Sequence, residues 1–524
     1  MRVYCFAVCL LLGNAHRLLA QRIPTPFAVE ETTIADMRNA LRDGRVTARQ
    51  LVEAYLARID AYDKLGPRLN ALITVSSDAR RAADSLDALF ARTHKFVGPL
   101  HGIPVIVKDN IDTRDMPTTA GSLALLESRP PDDAFVVQRL RAAGAIVLAK
   151  SNLPDFASLT FETVSSALPG YTRNAYDLAV TTAGSSGGTA TAIAANLGAV
   201  GLGTDTGNSI RGPAAFLSLV GLRPTVGLVS RDGVVPLDPA RDVTGPMTRT
   251  VRDAARVLDV IAGSDPADTM TARSRGHIPA EGYEAHLRVG ALRGARIGIL
   301  RQLVNTPTTD AEVLRRFEQA LLAMRASGAI IVDPTDIAAA SALMQRTPRE
   351  CRPFRQALEQ YFRSLGPSAP VHSLDEIVAS GKVHPSLDER FRMYRDASPP
   401  ETNSACRAAD QQVDQLRTAV QRVLSDEHLD ALAYPSWNNP PRLLGDLNTP
   451  DGSNGPRIAP VIGFPAITVP MGFVRNSTLP VGLELLGAEW SETRLLELAY
   501  AYESATHLRR PPIHTPPLAR RVRR

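Results

Sequence analysis

Serine hydroxyls on glycine turns are the residues of this chain whose types and spacing first point to chemistry. Residues 184–188 read GSSGG, with Ser185 and Ser186, and residues 207–209 read GNS, with Ser209. Glycine lets a backbone turn sharply and approach a ligand closely. A serine on such a turn can present its hydroxyl beside free backbone N–H groups, which acyl transfer needs to stabilise an oxyanion. The pair of turns therefore predicts a nucleophilic site, whereas one turn alone would equally suit a packing loop.

An attacking serine also needs a base, because its hydroxyl alone is a weak nucleophile. Lys108 directly follows the β-branched run 105–107 (VIV), which predicts a buried strand. A lysine at the end of a buried strand either extends its ammonium group to water or has a functional role. It could act as a base only when neutral, and burial lowers its pKa toward that state. Lys108, Ser185 and Ser209 could thus supply a base, a proton relay and a nucleophile.

The nucleophile elbow of the α/β-hydrolases is a second interpretation of the first turn. Residues 184–188 match G-x-S-x-G with Ser186 as nucleophile, and the small residues at 189–197 predict a helix after it. The preceding segment 176–182 is a poor core strand, however. This interpretation explains neither Lys108 nor the second turn. The residues alone leave both alternatives open.

The elements that must position these residues alternate between strands and helices. A helix is predicted at 132–143, with Gly144 just past its end, and strands are predicted at 145–149 and 199–203. Strand, helix and strand at this spacing indicate an α/β architecture.

The character of the chain changes between residues 264 and 430. A further strand–helix–strand unit is predicted at 296–332, and residues 336–430 are mostly helical and charged, with Pro-rich interruptions. We interpret 264–430 as a variable insertion that caps the substrate side of the fold. Segments rich in Asn, Pro and Gly at 432–441 and 447–460 are predicted to be loops.

Composition and charge exclude several classes of protein. With 44% hydrophobic and 22% charged residues, the 524-residue chain is typical of a globular protein with a large core. The net charge of +5 is mild for this length. The basic end at 516–524 is interpreted as a disordered tail, and we expect no nucleic-acid partner. No spacing of Cys and His resembles a metal site.

Residues 1–20 (MRVYCFAVCLLLGNAHRLLA) favour an export signal, because one Arg precedes an apolar run too short to span a membrane. A terminal strand or helix of a cytosolic protein is the alternative. We therefore expect a secreted or periplasmic protein without stable membrane insertion. Cys351 and Cys406 could pair in such a compartment, although the sequence leaves their separation open.

A longer pattern resembles the amidase signature family. The run that begins at Thr182 contains GSSGG, a small-residue helix, GTDTGNSIRGPAAF and VGLRPT without a gap. PLHGIPVIVKDNIDT at 99–113 and GFPAITVP at 463–470 are similar to the same family. The likeness covers residues 45–263 and 430–505, and it does not extend with any specificity to the segment between them.

The resemblance implies the amidase signature fold. This is one large α/β domain over residues 21–515, whose mixed central sheet has helices on both faces, with a mostly helical insertion. The resemblance also implies hydrolysis of an amide C–N bond through an acyl-enzyme, with no metal and no organic cofactor. The substrate would be a small-molecule or peptide amide, and the protein a monomer or a homodimer. Ester or carbamate hydrolysis is one alternative. The glutamine-amidase component of a transamidation complex is another, which an export signal disfavours.

The same resemblance assigns roles within the site. Ser209 is the nucleophile, Ser185 is the relay and is held by a cis peptide bond, and Lys108 is the base. The oxyanion hole consists of three consecutive backbone N–H groups, those of Thr206, Gly207 and Asn208.

Three polar neighbours have supporting roles by this resemblance: Asp205, Ser186 and Arg211. An ordinary ion pair is the alternative for Asp205 and Arg211. Asn208 departs from the family pattern, which usually has Gly there. Asn tolerates left-handed backbone angles better than other side chains do. We therefore expect its N–H to point inward still. Its side chain could narrow the site or donate to the substrate, and the sequence leaves this effect open.

Overall fold

The computed structural model describes residues 27–344 and 348–519. The predicted export signal at 1–20 and the end of the predicted tail, 520–524, lie outside these residues. Within the described part, the chain forms eleven strands of one sheet: β1 (Leu72–Val75), β2 (Pro104–Lys108), β3 (Ile146–Ser151), β4 (Val200–Asp205), β5 (Val220–Arg223), β6 (Val243–Thr248), β7 (Arg296–Ile299), β8 (Ile330–Val332), β9 (Ala431–Pro435), β10 (Ala466–Val474) and β11 (Leu479–Leu486).

The sheet is mixed, and its strand order is β1-β3-β2-β4-β6-β5-β10-β11-β9-β7-β8. Strand β2 is parallel to β3 and β4, and β7 is parallel to β8 and β9. The other neighbouring pairs are antiparallel. Every residue of β2, β4 and β11 is buried, so both faces of the central sheet are covered. The predicted fold class is confirmed.

The same described residues contain sixteen α-helices: α1 (Ile34–Arg42), α2 (Ala48–Tyr62), α3 (Ala79–Thr93), α4 (Phe135–Ala142), α5 (Gly187–Ala194), α6 (Arg211–Phe216), α7 (Val251–Ile261), α8 (Arg301–Val304), α9 (Ala311–Ala326), α10 (Ala340–Leu343), α11 (Phe354–Ser364), α12 (Leu374–Ala379), α13 (Asp388–Asp396), α14 (Ser404–Asp426), α15 (Ala459–Ile462) and α16 (Glu492–Thr506). Strand β7, helix α9 and strand β8 form the predicted strand–helix–strand unit, with the two strands parallel. Within the part of the chain that the structure describes, no helix is long and apolar enough to cross a membrane.

Helix α5 follows the first serine turn, and two residues set its bounds: Gly188 at its start and Asn196 beyond its end. A side chain at Gly188 would place its Cβ 2.4 Å from the carbonyl oxygen of Asn152, so only glycine lets α5 start against the residue that follows β3. The helix is shorter than the predicted 189–197, because Asn196 adopts a left-handed backbone conformation with φ of 56°.

Strand β9 lies where the sequence predicts a loop, and strand β10, the next along the chain, contains an irregularity. Strand β9 occupies the start of the segment predicted as a loop at 432–441, because its residues are all buried and show no polar alternation. Strand β10 passes through a proline, Pro470. The register shifts between Pro470 and Gly472, and this irregularity accommodates the missing N–H of the proline.

A hydrophobic cluster separate from the main core joins α11, α12 and α13 to the main body. We call residues 349–396 the helical layer. Phe354 and Phe391 of this layer pack against Phe156, with ring centroids 6.1 Å and 5.5 Å away. A disulfide between Cys351 and Cys406, whose Cα atoms are 5.3 Å apart, ties the start of the layer to α14. The sequence left this pairing open, and the structure supplies the required proximity.

Candidate active site

The ends of β2 and β4 bring the first polar groups of the site together. These strands are parallel neighbours, so their carboxyl ends meet at one edge of the sheet. Lys108 ends β2, and its Nζ lies 2.7 Å from Ser185 Oγ and 2.8 Å from Thr204 Oγ1. Lys108 and Ser185 are fully buried. Two of the three residues predicted to do chemistry are therefore in direct contact.

The environment of Lys108 favours its neutral form. Burial lowers the pKa of Lys108 from its ordinary value to about 7, although the carboxylates of Asp205 and Asp242 act in the opposite direction. A lysine with this pKa is largely neutral just above neutral pH, and it can then accept a proton. Lys108 thus meets the electrostatic requirement for a general base.

The two serine turns lie against each other. The backbone N–H of Ser186 donates to the carbonyl oxygen of Ser209 at 3.1 Å. The peptide bond between Gly184 and Ser185 is cis, as the resemblance implies. The structure therefore brings all three predicted catalytic residues into one region, with Ser185 beside Lys108 and the second turn packed on the first.

A cavity of about 420 Å³ opens beside the second turn. Ser209 lines it, together with Thr206 and Gly207. This volume is typical of a small-ligand site. Two of the three residues predicted to form the oxyanion hole thus border the same space as the predicted nucleophile.

Ser186 has different surroundings. Its hydroxyl donates to the carbonyl oxygen of Thr204 at 3.1 Å and accepts from the N–H of the same residue. Ser186 does not line the cavity, and no histidine lines it in the part of the chain that the structure describes. The elbow interpretation needs an exposed serine hydroxyl and a histidine base. The geometry therefore disfavours Ser186 as nucleophile.

Asp205 and Arg211 form a buried ion pair at the second turn. Their Oδ2 and Nε atoms lie 3.1 Å apart, and neither side chain is exposed. Arg211 also donates to the carbonyl oxygen of Gly207 at 2.8 Å and pairs with Glu484 of β11. Burial by itself raises the pKa of Asp205, but the guanidiniums of Arg211 and Arg223 hold it below its ordinary value. This pair differs from an ordinary surface ion pair, because it anchors the loop of the second serine.

The Asn208 side chain packs into the loops beside the second serine turn. Its Nδ2 donates to Ser453 Oγ at 3.1 Å. The side chain packs against Gly212 and Gly455, where an added Cβ would clash with it. Asn208 does not line the cavity, and its φ is not positive. The side chain therefore fills space between two glycines and does not face the cavity.

Comparison with known proteins decides the family. A family model described as Amidase matches residues 50–496 of this chain. The chain belongs to the amidase signature family. It is a hydrolase that acts on amide C–N bonds.

Three relatives show how far the similarity extends. Peptide amidase from Stenotrophomonas maltophilia, a solved structure, is 39% identical with a TM-score of 0.85, and the match covers 93% of this chain and 99% of that one. A "probable amidase" of Arabidopsis thaliana is 35% identical over 521 residues, which is 97% of this chain and 95% of the relative. A glutamyl-tRNA(Gln) amidotransferase subunit of Halorhodospira halophila is 34% identical over 501 residues, which is 91% of this chain and 98% of the relative.

Sequence reasoning missed several buried polar residues in and beside this candidate site. Thr204 contacts Lys108, and Glu484 accepts a hydrogen bond from Tyr434 at 3.1 Å as well as pairing with an arginine. Lys150 and Asp109 form a second buried ion pair, with 3.0 Å between Nζ and Oδ1. These residues lie in or beside apolar strands, where a polar side chain needs a partner. That signal could have marked the residues, but it could not have identified their partners.

Proposed function

We propose that the protein hydrolyses a carboxylic amide through an acyl-enzyme formed on Ser209, with Ser185 and Lys108 as its proton relay. The observation that supports this most directly is the 2.7 Å contact between Lys108 Nζ and Ser185 Oγ. It joins a buried lysine of lowered pKa to the serine that lies next to the turn of Ser209. A neutral amine in this position can take a proton from the relay.

The proposed reaction runs in two stages. Ser209 Oγ attacks the amide carbon, its proton passes to Ser185, and the proton of Ser185 passes to Lys108. The negative oxygen is stabilised by the backbone N–H groups of Thr206, Gly207 and Asn208. The C–N bond breaks as the leaving amine receives a proton back through the relay. Water then attacks the acyl-enzyme, and a carboxylate is released from the regenerated serine.

The proposed substrate is a small-molecule or peptide amide, and the similarity to a peptide amidase supports this class. Esters and carbamates are the alternative substrates, because the same triad could attack their carbonyl carbon. The similarity to the amidotransferase subunit of Halorhodospira halophila supports a glutamine-amidase role as a further candidate. Assays of the purified mature protein on aryl amides, peptide amides, glutamine, esters and carbamates would separate these activities.

A fluorophosphonate probe tests the nucleophile. We expect it to label one residue, Ser209, and we expect Ser209→Ala to lose both the label and amide hydrolysis while it melts at the wild-type temperature. Ser186→Ala is the matched control, because this serine lies in the neighbouring turn without lining the cavity. Labelling of Ser186, or retained hydrolysis by Ser209→Ala, would overturn the assignment.

We also propose that the protein is exported and that residues 264–430 cap its substrate side. The pattern of residues 1–20 and the disulfide of Cys351 and Cys406 support export, because disulfides persist in oxidising compartments. Fusing residues 1–20 to a reporter that is active only after export would test this. We expect an active reporter that has lost those residues, and a reporter retained in the cytosol would contradict the proposal.

A further inference from the structure

Four arginines line the cavity that Ser209 borders: Arg241, Arg349, Arg352 and Arg390. Arg349, Arg352 and Arg390 belong to the helical layer, and Arg241 belongs to the loop before β6. One carboxylate, Asp451, lies in the same lining. The reaction proposed above uses none of these charges.

Some of these arginines share an acidic partner behind the cavity wall. Asp238 lies 3.5 Å from both Arg241 and Arg352, so one carboxylate is shared by two guanidiniums. The carboxyl group of Asp242 is buried and is engaged by Thr206 Oγ1 and two backbone N–H groups. Four guanidiniums therefore line one small cavity, and two of them share a single carboxylate.

The neighbouring positive charges destabilise the charged form of Arg390. Its Nη1 donates to the carbonyl oxygen of Ser158, but its Nε is buried without a hydrogen-bond partner. Burial and the positive charges of Arg349 and Arg352 lower the pKa of Arg390 to about 10. The guanidinium remains charged at neutral pH and is repelled by its neighbours. A bound anion in the cavity would relieve this repulsion.

We propose that the natural substrate is an amide that carries an anionic group, a carboxylate or a phosphate, which this arginine cluster binds while Ser209 attacks the amide carbon. Guanidinium groups suit both anions, because their planar N–H donors match the oxygens in pairs. Cavities of this size hold one small ligand, so a single molecule can reach both the serine and the cluster. This inference rests on the proposed function and deepens it.

Matched chromogenic anilides test the proposal. Succinyl 4-nitroanilide places a carboxylate in the acyl part, 4-methylpentanoyl 4-nitroanilide replaces it by an uncharged group of the same shape, and 4-aminobutyryl 4-nitroanilide reverses the charge. For the leaving group, 5-acetamido-2-nitrobenzoate is compared with 4-nitroacetanilide. We expect kcat/KM to be at least ~10-fold higher for the anion in at least one of the two series, mainly through a lower KM. The series that shows the preference identifies the part of the substrate that carries the anion.

Variants then assign the preference to the cluster. Arg390→Gln and Arg352→Gln should each lower the ratio of kcat/KM for the anionic substrate over its neutral partner, by ~10-fold or more. Arg315→Gln, which removes an exposed arginine of α9 away from this cavity, should leave the ratio unchanged. Addition of inorganic phosphate should compete with the anionic substrate.

Equal kcat/KM for anionic and neutral substrates in both series would overturn this inference, and so would a preference that survives both variants. Such results would leave the proposed function standing, provided that Ser209→Ala abolishes hydrolysis of the neutral anilides. Absence of hydrolysis together with absence of fluorophosphonate labelling would instead contradict the proposed function itself.

Discussion

The carboxyl ends of β2 and β4, which we call the sheet edge, and the helical layer are built in different ways. At the sheet edge, buried Lys108 makes short hydrogen bonds to both Ser185 and Thr204, which are buried as well. In the helical layer, Arg352 and Arg390 lie on turns and short helices that a separate hydrophobic cluster and a disulfide attach to the body. The edge holds its groups through the sheet itself, whereas the layer holds its groups through side-chain packing.

This difference indicates that the two regions can have separate roles in catalysis and in substrate selection. Groups fixed by parallel strands and tight turns keep their geometry and their shifted pKa values, which bond-breaking chemistry requires. Charged side chains on a layer of short helices can be substituted without disturbing the geometry of the sheet edge. We infer that the edge supplies the reaction and the layer supplies the choice of substrate, and the predictions below separate these two contributions.

Removal of the base gives the largest expected effect. Lys108→Met should lower kcat/KM for every amide by ~10²–10⁴-fold, because proton transfer then lacks its acceptor. Lys382→Met, which removes an exposed lysine from the helical layer, is the matched control and should keep wild-type activity. Steady-state kinetics check this, with melting temperatures to show that both variants fold. Similar losses of kcat/KM in the two variants would contradict the separate roles of the two regions.

Removal of the disulfide gives an intermediate effect on the layer. The double variant Cys351→Ser/Cys406→Ser should lose about 2–4 kcal/mol of stability, because the unfolded chain is no longer cross-linked across 55 residues. It should also discriminate less between anionic and neutral anilides, since Cys351 lies between two arginines of the cluster. Thermal melting measures the first effect. A reductant should reproduce both effects in the wild type and add nothing in the variant.

Replacement of the unusual residue at the edge gives the smallest effect. Asn208→Gly should change kcat/KM by less than ~10-fold, because the backbone N–H remains and the side chain lies outside the cavity. Stability should fall by about 1 kcal/mol, since the hydrogen bond to Ser453 is lost. Kinetics and thermal melting of the variant test this. A large change in substrate preference would show that the Asn208 side chain does reach the substrate.

The sequence predicted the edge far better than the layer. The α/β class follows from the strand–helix–strand spacing. Lys108 and Ser185 are 77 residues apart in the chain, and the resemblance of their motifs to those of one family allowed them to be placed in one site. Helix α5 and strand β9 differ from their predicted bounds because a left-handed Asn196 and complete burial outweighed local composition.

The arginine cluster could not be predicted in this way. Arg241 and Arg390 are far apart in the chain, and no periodic pattern indicates that they line one cavity. Glu484 was equally hidden, because its partner Arg211 comes from another part of the chain. Contacts of this kind depend on how separate elements pack, and the local pattern of residues carries no information about that packing.

The measurement that tests the central claim most directly is the pH dependence of Ser209 phosphonylation by a fluorophosphonate, followed by mass spectrometry. Because burial lowers the pKa of Lys108 to about 7, the base is protonated below that pH and neutral above it. We predict a rate that falls about tenfold per pH unit below pH 7 and levels off above it. Lys108→Met should abolish this dependence together with most of the rate. A rate at Ser209 that does not change between pH 5 and 9, or a pH profile that persists in Lys108→Met, would contradict the account.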